Sequence, residues 1–274
     1  MIALLFRRRW IATAGCCLLL VVYAVPLAWI LLESLASDRV AGAGFPTEFS
    51  VEAYERVLGG VGGPIAQSAI IAVATALLVV VLSALAGYGL SHVRGRLGSV
   101  VIAATMIILV VVQMIPQATN AIPLYGLFGA WGLVNSTVGV VLADVALLLP
   151  LGIVLVRPFF VEVPVELEQA AMIDGANRWK VVWHIVLPLA RNGLVTVGLL
   201  SFMIAWGEFI YAITFLNDSG LFPVSVILAQ QVGSLNASWN SLMALAVLTS
   251  IPLVVIFIGG QRRLQAGMMA GAVK

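Results

Sequence analysis

Charge is what this chain has least of. Asp, Glu, Lys and Arg make up 9% of its 274 residues, against about a quarter in an ordinary soluble domain. Hydrophobic residues reach 62% and the mean hydropathy is +1.12. A water-soluble fold of this size cannot hide that much apolar surface, so a soluble protein is excluded. The formal net charge of +2 gives no support for a nucleic-acid partner. Cysteine is confined to the adjacent pair Cys16 and Cys17. Neighbouring cysteines rarely bridge, so they read as small apolar packing residues. Ala14-Gly15-Cys16 has the small residues of a lipoprotein cleavage site, but the apolar run follows the cysteine instead of preceding it. Lys180 and Lys274 are the only lysines and neither follows a glycine, so the chain lacks the loop that cradles ATP phosphates. The only histidines, His92 and His184, are far apart. No metal centre is expected from them, and they read as surface or interface residues. No Ser or Cys has a recognisable catalytic partner. No catalytic, cofactor-binding or metal-ligating residue is therefore expected, and the chain reads as something other than an enzyme.

What is present is apolar length. Six runs are long enough to cross a bilayer: roughly Trp10–Leu32, Ile65–Leu90, Ser99–Ile122, Thr137–Val156, Gly193–Leu216 and Trp239–Gly260. The basic residues fall on alternate sides of these runs. Arg7, Arg8, Arg9, Arg94, Arg96, Arg157, Arg178, Lys180, Arg191, Arg262, Arg263 and Lys274 share one side, and only Arg39 and Arg56 lie on the other. The positive-inside rule places both termini and the long basic loop in the cytoplasm. The expected fold is an all-α membrane protein with six transmembrane helices. Residues 1–274 form a single membrane domain with no internal repeat and no cleavable leader.

The outer side carries three segments. Glu33–Pro64 is rich in glycine and acids, and within it Ser50 reads as the N-cap of a helix with Ala53 at N3. Pro123–Ser136 is too short to span and is expected along the membrane surface, with Leu124, Tyr125, Leu127, Phe128 and Trp131 on its apolar side. Asn217–Ser238 is the third. Inside the spans, Asp144 and Glu208 are costly at mid-bilayer, by about 2.5–3.5 kcal/mol on insertion scales, so each needs a partner or a cavity. Either a helix–helix hydrogen bond or the lining of a pathway accounts for them. Trp206 and Phe209 flank Glu208 with aromatic faces that suit sugar rings. Gln113, Gln117, Thr119 and Asn120 gather around Pro116, where a kink frees backbone carbonyls. They line a pathway or repair the kink. The candidate pathway residues are Gln113, Gln117, Asn120, Asp144, Trp206, Glu208 and Phe209.

The cytoplasmic segment of about residues 162–190 is the most informative. Val163-Pro164-Val165-Glu166 opens a helix. Leu167, Ala170, Ala171 and Asp174 share one face, and small alanines there let another surface approach. Gly175 supplies the turn. Asn177 caps a second helix through His184, with Val181, Val182 and Ile185 on its apolar side, and Pro188 is expected to end it. On pattern alone this helix-turn-helix is equally an amphipathic connector.

The run Gln169-Ala170-Ala171-Met172-Ile173-Asp174-Gly175, followed by Ile185-Val186-Leu187-Pro188, resembles the signature loop of ABC importer permeases. The longer stretch Glu166–Ala176 is similar to the carbohydrate-type permeases of the maltose-transporter class. Ile122–Tyr125, Gly132–Ser136, Pro158–Phe160, Trp206–Phe209 and the tail Gln265–Lys274 resemble later segments of that class, so the likeness covers about residues 66–274. Gln169 stands where the motif usually has Glu, Gly207 where Asn is common and Asn192 where Pro is common. The resemblance implies a type I ABC importer permease in the bacterial plasma (inner) membrane, surrounded by lipid. It implies a loop that inserts as a coupling helix into an ATPase subunit through Glu168, Gln169, Ala170, Ala171, Asp174 and Gly175. It further implies two copies of that ATPase, which bind the ATP, a sister permease in a heterodimer, an extracytoplasmic solute-binding protein, and a sugar or sugar-like cargo. An ion-coupled secondary transporter accounts for the intramembrane acids, but predicts an inverted repeat with interrupted helices that the chain does not show. An intramembrane enzyme has no catalytic constellation behind it.

Overall fold

A computed structural model describes residues 2–37, 48–233 and 238–272, with side chains placed between 13 and 261. Asp38 and Arg39 of the first outer segment, residues 234–237 of the third, Lys274 and the side chains of Arg7–Arg9, Arg262, Arg263 and the tail motif lie outside that description. The described chain is helical apart from turns and one isolated antiparallel bridge, Ala36 with Phe49. The helices are α1 Ile2–Ser34, α2 Glu52–Ser91, α3 Gly95–Gln113, α4 Gln117–Ala130, α5 Thr137–Val161, α6 Val165–Ile173, α7 Arg178–Val181, α8 Leu187–Trp206, α9 Ile210–Phe215, α10 Val224–Gly233 and α11 Trp239–Ala272. Six stretches are long and apolar enough to cross a membrane: Thr13–Ser34, Glu52–Ser91, Gly95–Gln113, Thr137–Val161, Arg178–Trp206 and Trp239–Gln261. The count agrees with the sequence reading.

The chain divides into two compact units. The first comprises residues 1–62 and 228–251. There Ser34 Oγ meets Tyr54 OH at 2.7 Å, and Asn240 Nδ2 donates to the Ala36 carbonyl at 3.0 Å. These bonds tie the end of α1 to the start of α2 and of α11. Ser50 Oγ accepts from the Glu52 N–H at 3.1 Å, but α2 opens at Glu52, so Ser50 lies one residue before the N-cap position expected of it. The second unit comprises residues 63–227 and 252–274 and holds the main core, centred on α5 and α8. Lipid tails are as apolar as leucine, so these helices gain by close approach and not by leaving water. Gly152 shows it: a Cβ there would lie 2.9 Å from Val79 and 3.3 Å from Val197, so α2, α5 and α8 meet at a hydrogen atom.

Four boundaries differ from the sequence reading, each for a local reason. The helix of α2 continues through Pro64 for 40 residues, so the last part of the expected outer segment Glu33–Pro64 is helical. The third span ends at Gln113, and Pro116 is the N-cap of a new helix, with ψ 134°. It separates two helices instead of kinking one, and α4 runs through Pro123 to Ala130. On the expected apolar side of α4 only Phe128 is buried, while Tyr125, Leu127 and, just after the helix, Trp131 are exposed. Pro188 does not end its helix. The turn Val182–Val186 is a π turn in which the Leu187 N–H reaches the Val182 carbonyl. The wider turn moves the carbonyl of His184 off the proline ring, and the helix runs on to Trp206. The fifth span ends there, not at Leu216, because Gly207–Phe209 leaves the helix before α9.

Asn135 adopts a left-handed φ of 56°. Its Oδ1 accepts from the N–H groups of Asn217 and Asp218, both at 2.9 Å, which fixes the turn after α9. Ser136 then caps α5 through the Gly139 N–H at 3.1 Å. Gly152→Leu should overpack the three-helix contact at a cost of about 1–3 kcal/mol. A thermal melt of the purified protein in mild detergent should show a clear fall. Gly126→Leu, where a Cβ would meet nothing within 4 Å, should melt close to the unsubstituted protein.

Candidate coupling loop and transport pathway

The cytoplasmic loop is built by two caps around one glycine. α6 opens after Pro164 and closes at Gly175, whose φ of 88° belongs to the left-handed region. The Gly175 N–H bonds to the Met172 carbonyl at 3.1 Å and the Ala176 N–H to the Ala171 carbonyl at 2.9 Å. This crossed pair is the Schellman arrangement, which satisfies carbonyls a helix end would otherwise leave open. Asn177 Oδ1 then accepts from the Lys180 N–H at 2.8 Å and starts α7. The expected helix-turn-helix is present, and its second arm is the first turn of a rod that runs into the membrane as α8.

The loop's expected contact residues divide. Gln169, Ala170, Asp174 and Gly175 are exposed, and Ala171 is half-buried against the core. Glu168 faces inward at 5% exposure. Tyr88 OH donates to it at 3.0 Å, and His92 Nε2 lies 3.1 Å from Oε1. It is therefore unavailable for a charged contact outside the molecule, a correction to the expectation drawn from the motif. The exposed remainder is mixed, with Glu166, Gln169, Asp174, Arg178 and Lys180 alongside large apolar side chains. Ile173 is 85% exposed, Leu167 and Met172 stand out nearby, and Trp179 and Trp183 meet edge to face at 5.8 Å on the following arm. Large apolar side chains left exposed beside charged ones make this loop a candidate contact surface. Periodicity missed Tyr88 and His92. Their i, i+4 spacing at the end of a span was the available signal.

The candidate pathway residues also divide. A cleft of about 350 Å³ is lined by Gln113, Asn120, Leu124, Leu127, Leu147 and Tyr211, among others. Gln113 Nε2 donates to the Leu147 carbonyl at 2.7 Å, which holds its amide at the rim. Gln117, Asp144 and Glu208 do not line this cleft; they form a joint beside it. Gln117 Nε2 donates to Glu208 Oε2 at 2.5 Å, and Glu208 Oε1 accepts from the Tyr211 N–H at 2.6 Å. Glu208 thus caps α9 while binding the first residue of α4. Asp144 of α5, 1% exposed, is buried beside the same carboxyl, and its Oδ2 has no hydrogen-bond partner among the described residues. Ser225 Oγ donates to the Glu208 carbonyl. The helix–helix reading is the one the geometry supports for Glu208. Trp206 is buried and stacks on Phe202 at 5.7 Å, whereas Phe209 is 38% exposed. The two do not form an aromatic clamp around Glu208. Tyr211, which the sequence reading passed over, is the aromatic residue that lines the cleft.

With this geometry in place, the comparisons define the class. The chain belongs to the family of binding-protein-dependent transport system inner membrane components, whose family model matches residues 87–269. It is accordingly a multi-pass inner-membrane transport subunit. Among its relatives is the trehalose/maltose transport system permease protein MalG of Thermococcus litoralis, 31% identical over 97% of each chain. The trehalose transport system permease protein SugB of Mycobacterium tuberculosis is 30% identical over 93% of this chain and 94% of its own. The inner membrane ABC transporter permease protein YcjP of Escherichia coli is 27% identical over 95% and 94%. In fold, the chain matches a subunit of a bacterial ABC transporter that imports the acidic polysaccharide alginate, with a TM-score of 0.77 at 22% identity, covering 92% and 96%.

Gly175→Val should strain the turn by about 1–2 kcal/mol and misdirect the loop. Co-purification of partner subunits should fall while the detergent melt changes little. Glu208→Ala should act on the fold instead, because it strands the Gln117 amide and the Tyr211 N–H at about 1–3 kcal/mol. It should lower the melt more than Phe209→Ala does.

Proposed function

We propose that the chain is the permease through which a sugar crosses the membrane, driven by a separate ATPase that docks on α6 and its flanking arm. The observation that carries this reading is the capped loop itself, which leaves Leu167, Met172, Ile173, Trp179 and Trp183 exposed. Two ATPase copies bind the ATP; this chain contributes no ATP chemistry. A sister permease completes the pore as a heterodimer, and an extracytoplasmic solute-binding protein delivers the cargo. The relatives named for trehalose, maltose and melibiose transport support a sugar cargo. So does the cleft, where two neutral amides and a tyrosine stand among leucines, a lining suited to a hydroxyl-rich, uncharged solute.

The test is a pull-down of the tagged chain from its native membranes, joined to uptake of a panel of radiolabelled disaccharides and trisaccharides. The expected result is recovery of a P-loop ATPase and uptake that stops on ATP depletion but continues with an uncoupler. A chain recovered without an ATPase, with uptake stopped by the uncoupler alone, would overturn the reading.

A further inference from the structure

The chain itself ties α6 to two membrane helices, through Glu162–Pro164 to α5 and through Gly175 to the rod that becomes α8. A third tie, to α2, is made by side chains. Tyr88 and His92, four residues apart, lie on one face at the cytoplasmic end of α2. Both reach the Glu168 carboxylate: Tyr88 OH at 3.0 Å to Oε2, and His92 Nε2 at 3.1 Å to Oε1 and 3.2 Å to Oε2. His92 Nε2 faces the carboxylate, while Nδ1 lies 3.0 Å from both the Ser91 hydroxyl and the Tyr88 carbonyl. The Tyr88 and His92 rings lie 4.4 Å apart. The Tyr88 ring stands edge-on to Phe160 of α5 at 6.0 Å. One residue earlier, a Cβ on Gly87 would come within 2.7 Å of Val156, so this end of α2 has no slack against α5.

A carboxylate at 5% exposure is a costly way to fill a position between Leu167 and Gln169 unless its directionality is used. Apolar contacts slide under load. A carboxylate held by two side chains from one helix resists both shear and rotation, because its hydrogen bonds weaken steeply with angle. We propose that Glu168 is a positioning residue that makes α2 follow α6: a partner that displaces the loop carries Tyr88, and with it the cytoplasmic end of α2, in the same movement. The proposal rests on the reading of α6 as an ATPase-docking helix, and gives the side of that helix facing away from the ATPase its own task.

The experiment uses the full assembly with its ATPase, with Cys16 and Cys17 changed to serine. Spin labels are placed at Leu85 of α2 and Glu166 of α6, both exposed, and their separation is measured by pulsed electron resonance with and without ATP and vanadate. In the unsubstituted protein the distance should stay the same when nucleotide binds. In Glu168→Ala it should shift or broaden on nucleotide binding, with Tyr88→Phe giving a smaller effect in the same direction and Glu168→Gln an intermediate one. Tyr88→Phe combined with Glu168→Ala should be no worse than Glu168→Ala alone, since both act through one hydrogen bond. ATPase co-purification should match the unsubstituted protein throughout. A nucleotide-dependent distance in the unsubstituted protein, or an unchanged distance in Glu168→Ala, would overturn the proposal. Loss of the ATPase from Glu168→Gln alone would overturn it too, by placing Glu168 in the docking contact. Absence of the ATPase from the unsubstituted protein would instead overturn the docking reading on which the proposal stands.

Discussion

Within a bilayer no water is available to satisfy a backbone amide or carbonyl, so every interruption of a membrane helix must be repaired by the protein itself. The second unit is organised around such repairs. Between α8 and α9 the chain leaves the helix at Gly207–Phe209, and the Glu208 side chain takes up the Tyr211 N–H that the break exposes. The same carboxyl receives Gln117 from the start of α4, which follows the other interruption, at Met114–Pro116. Two breaks from distant parts of the sequence are thus closed on one another, with Asp144 of the unbroken α5 beside them. The π turn before Pro188 is a third repair, made by the backbone alone.

These repairs shape the function. Because Glu208 and Gln117 are occupied with each other, the cleft next to them is left to Gln113, Asn120 and Tyr211 among apolar side chains. An uncharged lining of amides and one phenol fits a neutral solute better than an ion. At the cytoplasmic end the same economy separates two faces of α6. Its one buried carboxylate points to α2, and its exposed apolar residues are left for a partner. The continuous rod from Arg178 to Trp206 then joins the loop to the core of the membrane unit without a hinge at Pro188.

Much of this was legible beforehand, and the reasons are physical. Six spans could be counted because apolar length is demanded by the thickness of the bilayer. The turn at Gly175 could be named because a left-handed φ there favours glycine, and Asn177 because a cap needs a short side-chain acceptor. Orientation along a helix was harder. Spacing puts Leu167, Ala170, Ala171 and Asp174 on one face, but not whether Glu168 on another face points to a partner or to Tyr88 and His92. Proline was misread twice for opposite reasons. Pro116 ends a helix where a kink was expected, and Pro188 is tolerated where an end was expected, because a π turn leaves no mark in the residue pattern. Trp206 was assigned to the pathway by its neighbour Glu208, although the helix ends between them and the Trp206 ring stacks on Phe202 inside the core.

The central claim is that the exposed side of α6 and its capped turn meet a separate ATPase. Photocrosslinking in native membranes tests it most directly, with the reactive group at Ile173 and, for contrast, at Phe49 on the expected outer side, both well exposed. The account predicts that Ile173 crosslinks to a chain carrying a P-loop and that Phe49 does not. Absence of that product from Ile173, or labelling of Ile173 by a membrane-impermeant reagent added outside intact cells, would contradict it.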